Sequence, residues 1–245
     1  DWVIGHLRRG WTPEEISGRL PIEHPDDHRM RVSTETLYAW IYAPDQQYRQ
    51  LSQYLARGQK KRRRVKGRSV HSERIKYRVS IHDRPAEVDT REEFGHWESD
   101  SVLGAHGSGG IHTTVERMSR YYLGVKLSQV AAAPTLEAQL GVYRALPAHA
   151  VRSVTADNGS EFAYHYQLAD AIGVPTYFAD PYSAYQRGSN EHFNGRLRRY
   201  LPKRTSFKDL TQEELDEYIG EINDRPRKVL GWATPAEVFQ ELCSG

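Results

Sequence analysis

The chain has 245 residues, 38% of them hydrophobic and 27% charged, with a formal net charge of +2 at pH 7. That length suits one good core plus a smaller domain, and no apolar run approaches the roughly 20 residues that cross a bilayer, so membrane-spanning classes are excluded. The lone Cys243 excludes an internal disulfide and any multi-cysteine zinc site, and with no secretory signal at its start the chain is expected in the reducing cytoplasm. A chain that opens on Asp1 rather than Met reads as a piece of a longer protein.

The first 43 residues read as three short helices. Val3, Ile4 and Leu7 share one helical face, with Gly10 as C-cap. Thr12-Pro13-Glu14-Glu15 is a capping box with proline at the first helical position, leading into Ile16 and Leu20. Ser33 caps a third helix whose apolar face is Leu37, Trp40 and Ile41. This is the layout of a helix-turn-helix over residues 1–45, though the connection Pro21 to Val32 is longer than the usual turn; a plain three-helix packing module is the alternative. Thr34, Glu35 and Tyr38 point away from the apolar face and are the candidates for DNA groove contact. His24 and His28 have i, i+4 spacing, but with no cysteine pair beside them zinc is not expected.

Residues 46–92 read as a basic linker. From Arg57 to Arg68 there is no acidic residue, and Lys60, Lys61, Arg62, Arg63 and Arg64 run consecutively. Such a run repels itself and buries nothing, so it cannot fold alone; beside a helix-turn-helix it is expected to lie along DNA phosphates and release counterions.

From residue 93 to 245 the pattern becomes α/β. Phe94 to Leu103, Ile111 to Glu116 and Tyr121 to Leu127 read as strands, separated by turns at Gly107-Ser108-Gly109-Gly110 and Ser119-Arg120. Then come a helix over Pro134 to Leu146, a strand over Val151 to Thr155, a helix over Glu161 to Ile172 and a strand over Val174 to Phe178. A loop over 180–188 precedes a helix capped by Ser189 and carrying Glu191, and helices near 211–223 and 234–242 finish the chain. Three strands followed by helix–strand–helix–strand–helix is the ribonuclease H-like order: a mixed sheet with flanking helices, preceded by a small all-α domain.

Three carboxylates sit at the ends or starts of these elements. In a strand of period two, His96, Glu98 and Asp100 share a face; Asp157 follows a short strand at an Asn158-Gly159 reversal; Glu191 lies in the first turn of its helix, with 33 residues between it and Asp157. An Asp, an Asp and a Glu so placed are what a two-metal phosphoryl-transfer site needs, with hard oxygen ligands that suit Mg²⁺ or Mn²⁺, two per site. Three crowded carboxylates repel one another unless cations neutralise them. His96, Glu98, Asn190 and Asn194 could orient ligands or DNA, or be satisfied structural polars. Glu161 is a runner-up ligand, although a residue one turn past Asp157 more often faces solvent. Arg187, Arg196, Arg198, Arg199, Lys203 and Arg204 gather around the Glu191 helix as a positive floor for DNA.

These blocks carry a resemblance. Trp11-Thr12-Pro13-Glu14-Glu15-Ile16, Glu35-Thr36-Leu37-Tyr38-Ala39-Trp40-Ile41-Tyr42, Arg84-Pro85-Ala86-Glu87, Gly95-His96-Trp97-Glu98-Ser99-Asp100, Ala156-Asp157-Asn158-Gly159, and Arg187-Gly188-Ser189-Asn190-Glu191 through Leu197-Arg198-Arg199-Tyr200-Leu201-Pro202-Lys203 together resemble the bacterial DDE transposases of the insertion sequence 30 family, whose core is similar to that of retroviral integrases. The likeness runs over nearly the whole chain. It implies that Asp100, Asp157 and Glu191 are catalytic metal ligands, that the activity is DNA cleavage and strand transfer at terminal inverted repeats, and that the partners are double-stranded transposon ends and target DNA. A homodimer or larger assembly on DNA, in a bacterial, nucleoid-associated setting, follows from paired-end cutting. Ser99 stands where the family more often has Gly, on the face opposite Asp100. The competing expectations are a transposase-derived DNA-binding regulator that no longer cuts, against which the complete acidic trio argues, and a structure-selective nuclease, against which the N-terminal reader argues.

Overall fold

The computed structural model of the chain describes residues 2–43, 51–54, 75–181 and 183–245. The basic run Lys60, Lys61, Arg62, Arg63 and Arg64, and most of the expected linker, lie outside the described residues. Two compact units are present: one draws on Asp1–Ser69 and Asp224–Pro235, the other on Val70–Asn223 and Ala236–Gly245.

The first unit holds helices α1 (Trp2–Arg8), α2 (Pro13–Glu23) and α3 (Thr34–Ile41). The capping box at the start of α2 forms as the sequence dictates, with Thr12 Oγ1 accepting from Glu15 N at 3.2 Å and Glu15 Oε2 accepting from Thr12 N at 2.8 Å. Leu7, Trp11, Ile16, Leu20, Leu37, Ile41 and Leu51 form its buried core. Helix α2 extends through Pro21 to Glu23, and a 3₁₀ turn at His28–Met30 occupies part of the connection to α3, so the stretch read as one long loop is half structured. Residues 224–235, expected in the α/β domain, belong to this unit instead. Arg225 Nη2 donates to Arg9 O at 2.9 Å, Arg19 Nη1 to Trp232 O at 3.1 Å, and Arg227 pairs with Glu15 at 3.3 Å, tying the segment to α2 and its approach. Gly18 is required at this docking: a Cβ there would collide with the Trp232 ring.

The second unit is a six-stranded mixed sheet with helices on both faces. Its strands are β1 (Val79–Ser80), β2 (His96–Leu103), β3 (Gly110–Glu116), β4 (Tyr122–Leu127), β5 (Ser153–Ala156) and β6 (Thr176–Phe178), in the order β1-β6-β5-β2-β3-β4. Strands β2, β3 and β4 pair antiparallel, whereas β5 runs parallel to β2 and to β6, and β1 parallel to β6. The helices are α4 (Glu87–Thr90), α5 (Ala132–Arg144), α6 (His165–Ile172), α7 (Gly188–Leu197), α8 (Gln212–Asn223) and α9 (Pro235–Ser244). Even-numbered β2 residues face α7 and α8: Val102 packs in a core with Ile111, Val115, Tyr122, Phe193, Leu197, Leu215 and Ile219. Odd-numbered ones face the other layer, where Trp97 packs with Tyr143, Val154, Leu168 and Phe239. Ser99, on that second face, bonds to Thr114 and Tyr143, away from Asp100 as expected.

Two differences from the sequence reading have plain causes. Residues 75–92, expected as linker, contain the edge strand β1 and α4; elements of two and four residues are too short to show periodicity. The helix expected over Glu161 to Ile172 is broken into a 3₁₀ turn at Ser160–Phe162 and α6.

Strand β3 is buried throughout, and it contains His112, whose two ring nitrogens have no hydrogen-bond partner. Burial pulls this imidazole down to about 4 from 6.5. A lowered histidine keeps its stability contribution above the unfolded value and loses it as pH falls through the folded one, so the window runs from pH 6.5 to 4. Chemical denaturation across that window is expected to show wild type losing about 3 kcal/mol more than His112→Leu. Equal losses in the two proteins would contradict a neutral buried His112.

Candidate active site

Parallel pairing of β2 with β5 carries Asp100, in the middle of β2, level with Asp157, the residue just past the end of β5, where open α/β sheets gather their sites. Asp100 Oδ1 accepts from Ser101 N at 2.8 Å and Oδ2 from Asn194 Nδ2 at 3.0 Å. Asp157 Oδ1 accepts from Gly159 N at 2.8 Å, the sharp reversal that Asn158-Gly159 permits; Asn158 is itself held by Arg78 Nε at 2.8 Å and donates to Ala179 O at 2.7 Å. One guanidinium joins the two aspartates: Arg187 Nη1 lies 3.5 Å from Asp100 Oδ1 and Nη2 lies 3.4 Å from Asp157 Oδ2. Burial raises the Asp100 carboxyl above its usual range, the Asp157 charge adds to the rise, and Arg187 opposes it. Desolvation thus outweighs the opposing charge of Arg187 at Asp100.

A further carboxylate, Glu161, neighbours Asp157. Glu161 sits in the 3₁₀ turn with its carboxyl raised by burial and then by Asp157 and Asp100. A Cβ at Gly159 would come within 3.0 Å of both Glu161 Oε2 and Asp157 Oδ1, so only glycine lets the two carboxylates close over that point. The expectation that Glu161 faces solvent fails because the turn that carries it is not yet α-helix. Glu191 is exposed, in the first turn of α7, where it lines a groove of about 510 Å³ with Gly188, His192, Gly195, Arg196 and Arg199. The described residues contain no group of three His, Cys, Asp or Glu side chains able to hold a metal ion. Among the described residues Asp100 and Asp157 are joined through Arg187, and Glu191 lines its own groove.

What positions α7 was also misassigned. Helix α7 begins at Gly188, following a 3₁₀ turn at Ala184–Arg187, so Ser189 lies inside the helix and its hydroxyl accepts from Arg120 Nη1 at 3.1 Å instead of capping. The first-turn N–H of Asn190 is taken by Glu98 Oε2 at 3.0 Å, and Asn190 Nδ2 donates to Glu98 O at 2.8 Å. Glu98 is fully buried and paired with Arg117 Nη1 at 2.6 Å. A strand carboxylate thus stands at the positive end of the helix and fixes α7 against the strand that bears Asp100. Asn194 reaches Asp100 and accepts from Tyr122 Oη at 2.8 Å. His96 is satisfied by Ser153 and Glu93, away from the aspartates, which is the structural alternative for that residue.

Among the expected DNA contacts, Thr34 is half-buried and Glu35 and Tyr38 are exposed on α3. Arg199, Lys203 and Arg204 are exposed; Arg196 Nε bonds to His192 at 3.0 Å, and Arg198 is taken up by the Leu103 and Leu201 carbonyls.

A mixed sheet of this order, flanked by helices and carrying one aspartate in its central strand and a second just past the neighbouring strand, fits a ribonuclease H-like integrase core. No family model matches the chain. It is 41% identical over 243 residues, 98% of its own length and 72% of the relative's, to the transposase for insertion sequence element IS1086 of Cupriavidus metallidurans. It is 35% identical over 246 residues to the transposase InsI for IS30A of Escherichia coli, covering 97% of this chain and 63% of that protein, and 35% identical over 242 residues, 98% and 72%, to the transposase for IS4351 of Bacteroides fragilis. A putative integrase of a Spiroplasma virus matches at 28% over 209 residues, 85% of this chain and 63% of that protein. The chain belongs to the insertion sequence 30 family of transposases.

Proposed function

We propose that the chain cleaves DNA strands at the terminal inverted repeats of an insertion sequence and joins them to target DNA, with Asp100, Asp157 and Glu191 as the ligands of two Mg²⁺ or Mn²⁺ ions. The observation that carries this reading is the Asp100–Arg187–Asp157 bridge: two carboxylates from adjoining strands already present oxygens to one shared cationic centre. Hard oxygen donors, with Asp100 partly buried and its carboxyl raised by desolvation, fit such ions. Glu191 lies one helical turn before Asn194, whose amide touches Asp100, so the two residues are neighbours along α7. Glu161 would stay as a neighbouring carboxylate that sharpens the demand for cations.

When bound, a metal pair supplies an activated attacking oxygen and stabilises the leaving 3′-oxygen of an in-line displacement. The protein's own part is positioning. Glu98 and Asn190 hold α7 against β2, Asn194 orients Asp100, and the Gly159 turn orients Asp157. Arg187, displaced from the aspartates, would be free to meet a phosphate. Arg196, Arg199 and Lys203 supply positive charge around the Glu191 groove, with Arg198 held to the fold by its carbonyl contacts.

Helices α2 and α3 would act as a helix-turn-helix with Thr34, Glu35 and Tyr38 toward the groove, and the run Lys60, Lys61, Arg62, Arg63, Arg64 along phosphates. Reader, phosphate-contacting linker and catalytic core are assigned to 1–45, 46–92 and 93–245, with 75–92 folded into the α/β unit and 224–235 into the first unit, in a cytoplasmic, nucleoid-associated protein that acts as a dimer or larger assembly. No described helix is long and apolar enough to cross a membrane. The chain spans 63–72% of the relatives with which it aligns over nearly its whole length.

Incubation with duplexes ending in the element's repeats, plus Mg²⁺, tests the reading, with products resolved at nucleotide level. Nicks at the repeat ends and joined products are expected; binding of the ends without any cut would instead favour the non-cleaving regulator.

A further inference from the structure

The motif Arg84-Pro85-Ala86-Glu87 has no part in the chemistry above. It leads into α4, a single turn that starts with Val88 N bonding back to Pro85 O and ends at Arg91 in the left-handed conformation, φ 61°. The turn brings Arg84 and Arg91, seven positions apart, to one cleft of about 490 Å³, whose other walls are Ile81, His82, Asp89, Arg117 and Gln186.

Three guanidinia line this cleft. Arg84 is buried; it donates from Nη1 to Thr155 Oγ1 at 2.8 Å and pairs with Asp89, and its Nε has no acceptor. Arg117, also buried, pairs with Glu98 and reaches the same Asp89 carboxylate at 3.6 Å. Arg91 is half-buried and makes no hydrogen bond or ion pair among the described residues. Asp89 is largely exposed and shared between two arginines, and Glu98 also serves the α7 N-terminus. Asp180, held by His82 and Gln186, is the third carboxylate at the cleft, so three guanidinia stand with three carboxylates, yet none of these is paired with Arg91. The cleft adjoins the aspartates: Gln186 is followed by Arg187, which bridges Asp100 and Asp157, and Glu98 lies two residues before Asp100 on one strand face.

We propose that this cleft is a subsite for a backbone phosphate of the DNA strand entering the Asp100–Asp157 site, with Arg91 as its free ligand and Arg84 and Arg117 as its fixed positive wall. The proposal rests on the DNA-cleaving reading and adds a place where the strand is gripped beside it. A phosphate here would order Arg91, give Arg84 Nε a nearby negative charge and carry no sequence information.

The test uses the whole chain and a labelled duplex of about 30 base pairs from the element's end, without divalent metal, at several salt concentrations. Losing one phosphate contact should reduce the slope of log K against log salt by about 0.9 in Arg91→Ala, while Arg91→Lys keeps it. Arg144→Ala, an exposed arginine on the opposite helical layer, should leave the slope unchanged, and unfolding midpoints of all three variants should match wild type. An unchanged slope in Arg91→Ala, with wild type binding normally, would overturn the subsite alone. A wild-type chain that fails to bind the duplex would overturn the DNA reading and the subsite with it.

Discussion

Asp157→Asn is expected to lower nicking and joining of repeat ends by at least about 10³-fold while leaving affinity for those ends within about twofold. A ligand charge at a metal-assisted phosphoryl transfer is worth several kcal/mol of transition-state stabilisation, and each 1.36 kcal/mol is a factor of ten. The substitution keeps the shape. The amide oxygen can still accept from Gly159 N, so the Asn158-Gly159 reversal survives, and the Arg187 pair it breaks is long and partly exposed, so its loss changes stability little. Asp100→Asn should lose activity equally but differ in stability. A carboxyl raised by burial contributes its stability below the unfolded value and loses it as pH rises through the folded one. At neutral pH Asp100 is therefore a metal-free penalty, and its neutral replacement should melt higher than wild type in the absence of metal. Unchanged cleavage in Asp157→Asn, followed on gels over a time course, would remove that residue from the chemistry.

Glu98→Ala should reduce stability by about 3–5 kcal/mol, because it strands a buried Arg117 charge and leaves the Asn190 N–H without its acceptor. For a protein of this size that is a fall in melting temperature of roughly 6–20 °C. Glu98→Gln keeps an acceptor for Asn190 but not the charge, so it should fall between the two. Calorimetry of the three proteins decides the matter; a loss under about 1 kcal/mol in Glu98→Ala would mean that α7 is held by its apolar contacts, Phe193 and Leu197, and not by the carboxylate.

The sequence reading found what repeats in it. Alternation located β2 and placed Asp100 and Ser99 on opposite faces, and the Thr12–Glu15 box located α2. Features made by distant partners left no such trace. Residues 224–235 dock on the N-terminal unit through Arg227–Glu15 and the Arg19–Trp232 contact, pairings more than 200 positions apart. The α7 cap was sought in the adjacent Ser189 because local caps follow a pattern, whereas Glu98 provides it from 92 residues away. Glu161 was misplaced by an assumed continuous helix. Its nearness to Asp157 depends on Gly159 leaving room for two carboxylates, which the Asn-Gly pair signalled only as a turn. The two aspartates were legible because strand alternation fixes Asp100 and a reversal after β5 fixes Asp157; Glu191 was legible as a helix-start residue, but its side-chain direction was not.

The central claim is that Asp100, Asp157 and Glu191 share cations. Crystals of the chain bound to end DNA in Mn²⁺, measured at the manganese absorption edge, test it most directly. Anomalous peaks bounded by the three carboxylates are expected, with Arg187 drawn off the aspartates. Arg187 still bridging Asp100 and Asp157 with no manganese between them, or manganese held by Glu161 with Glu191 left in its groove, would contradict it.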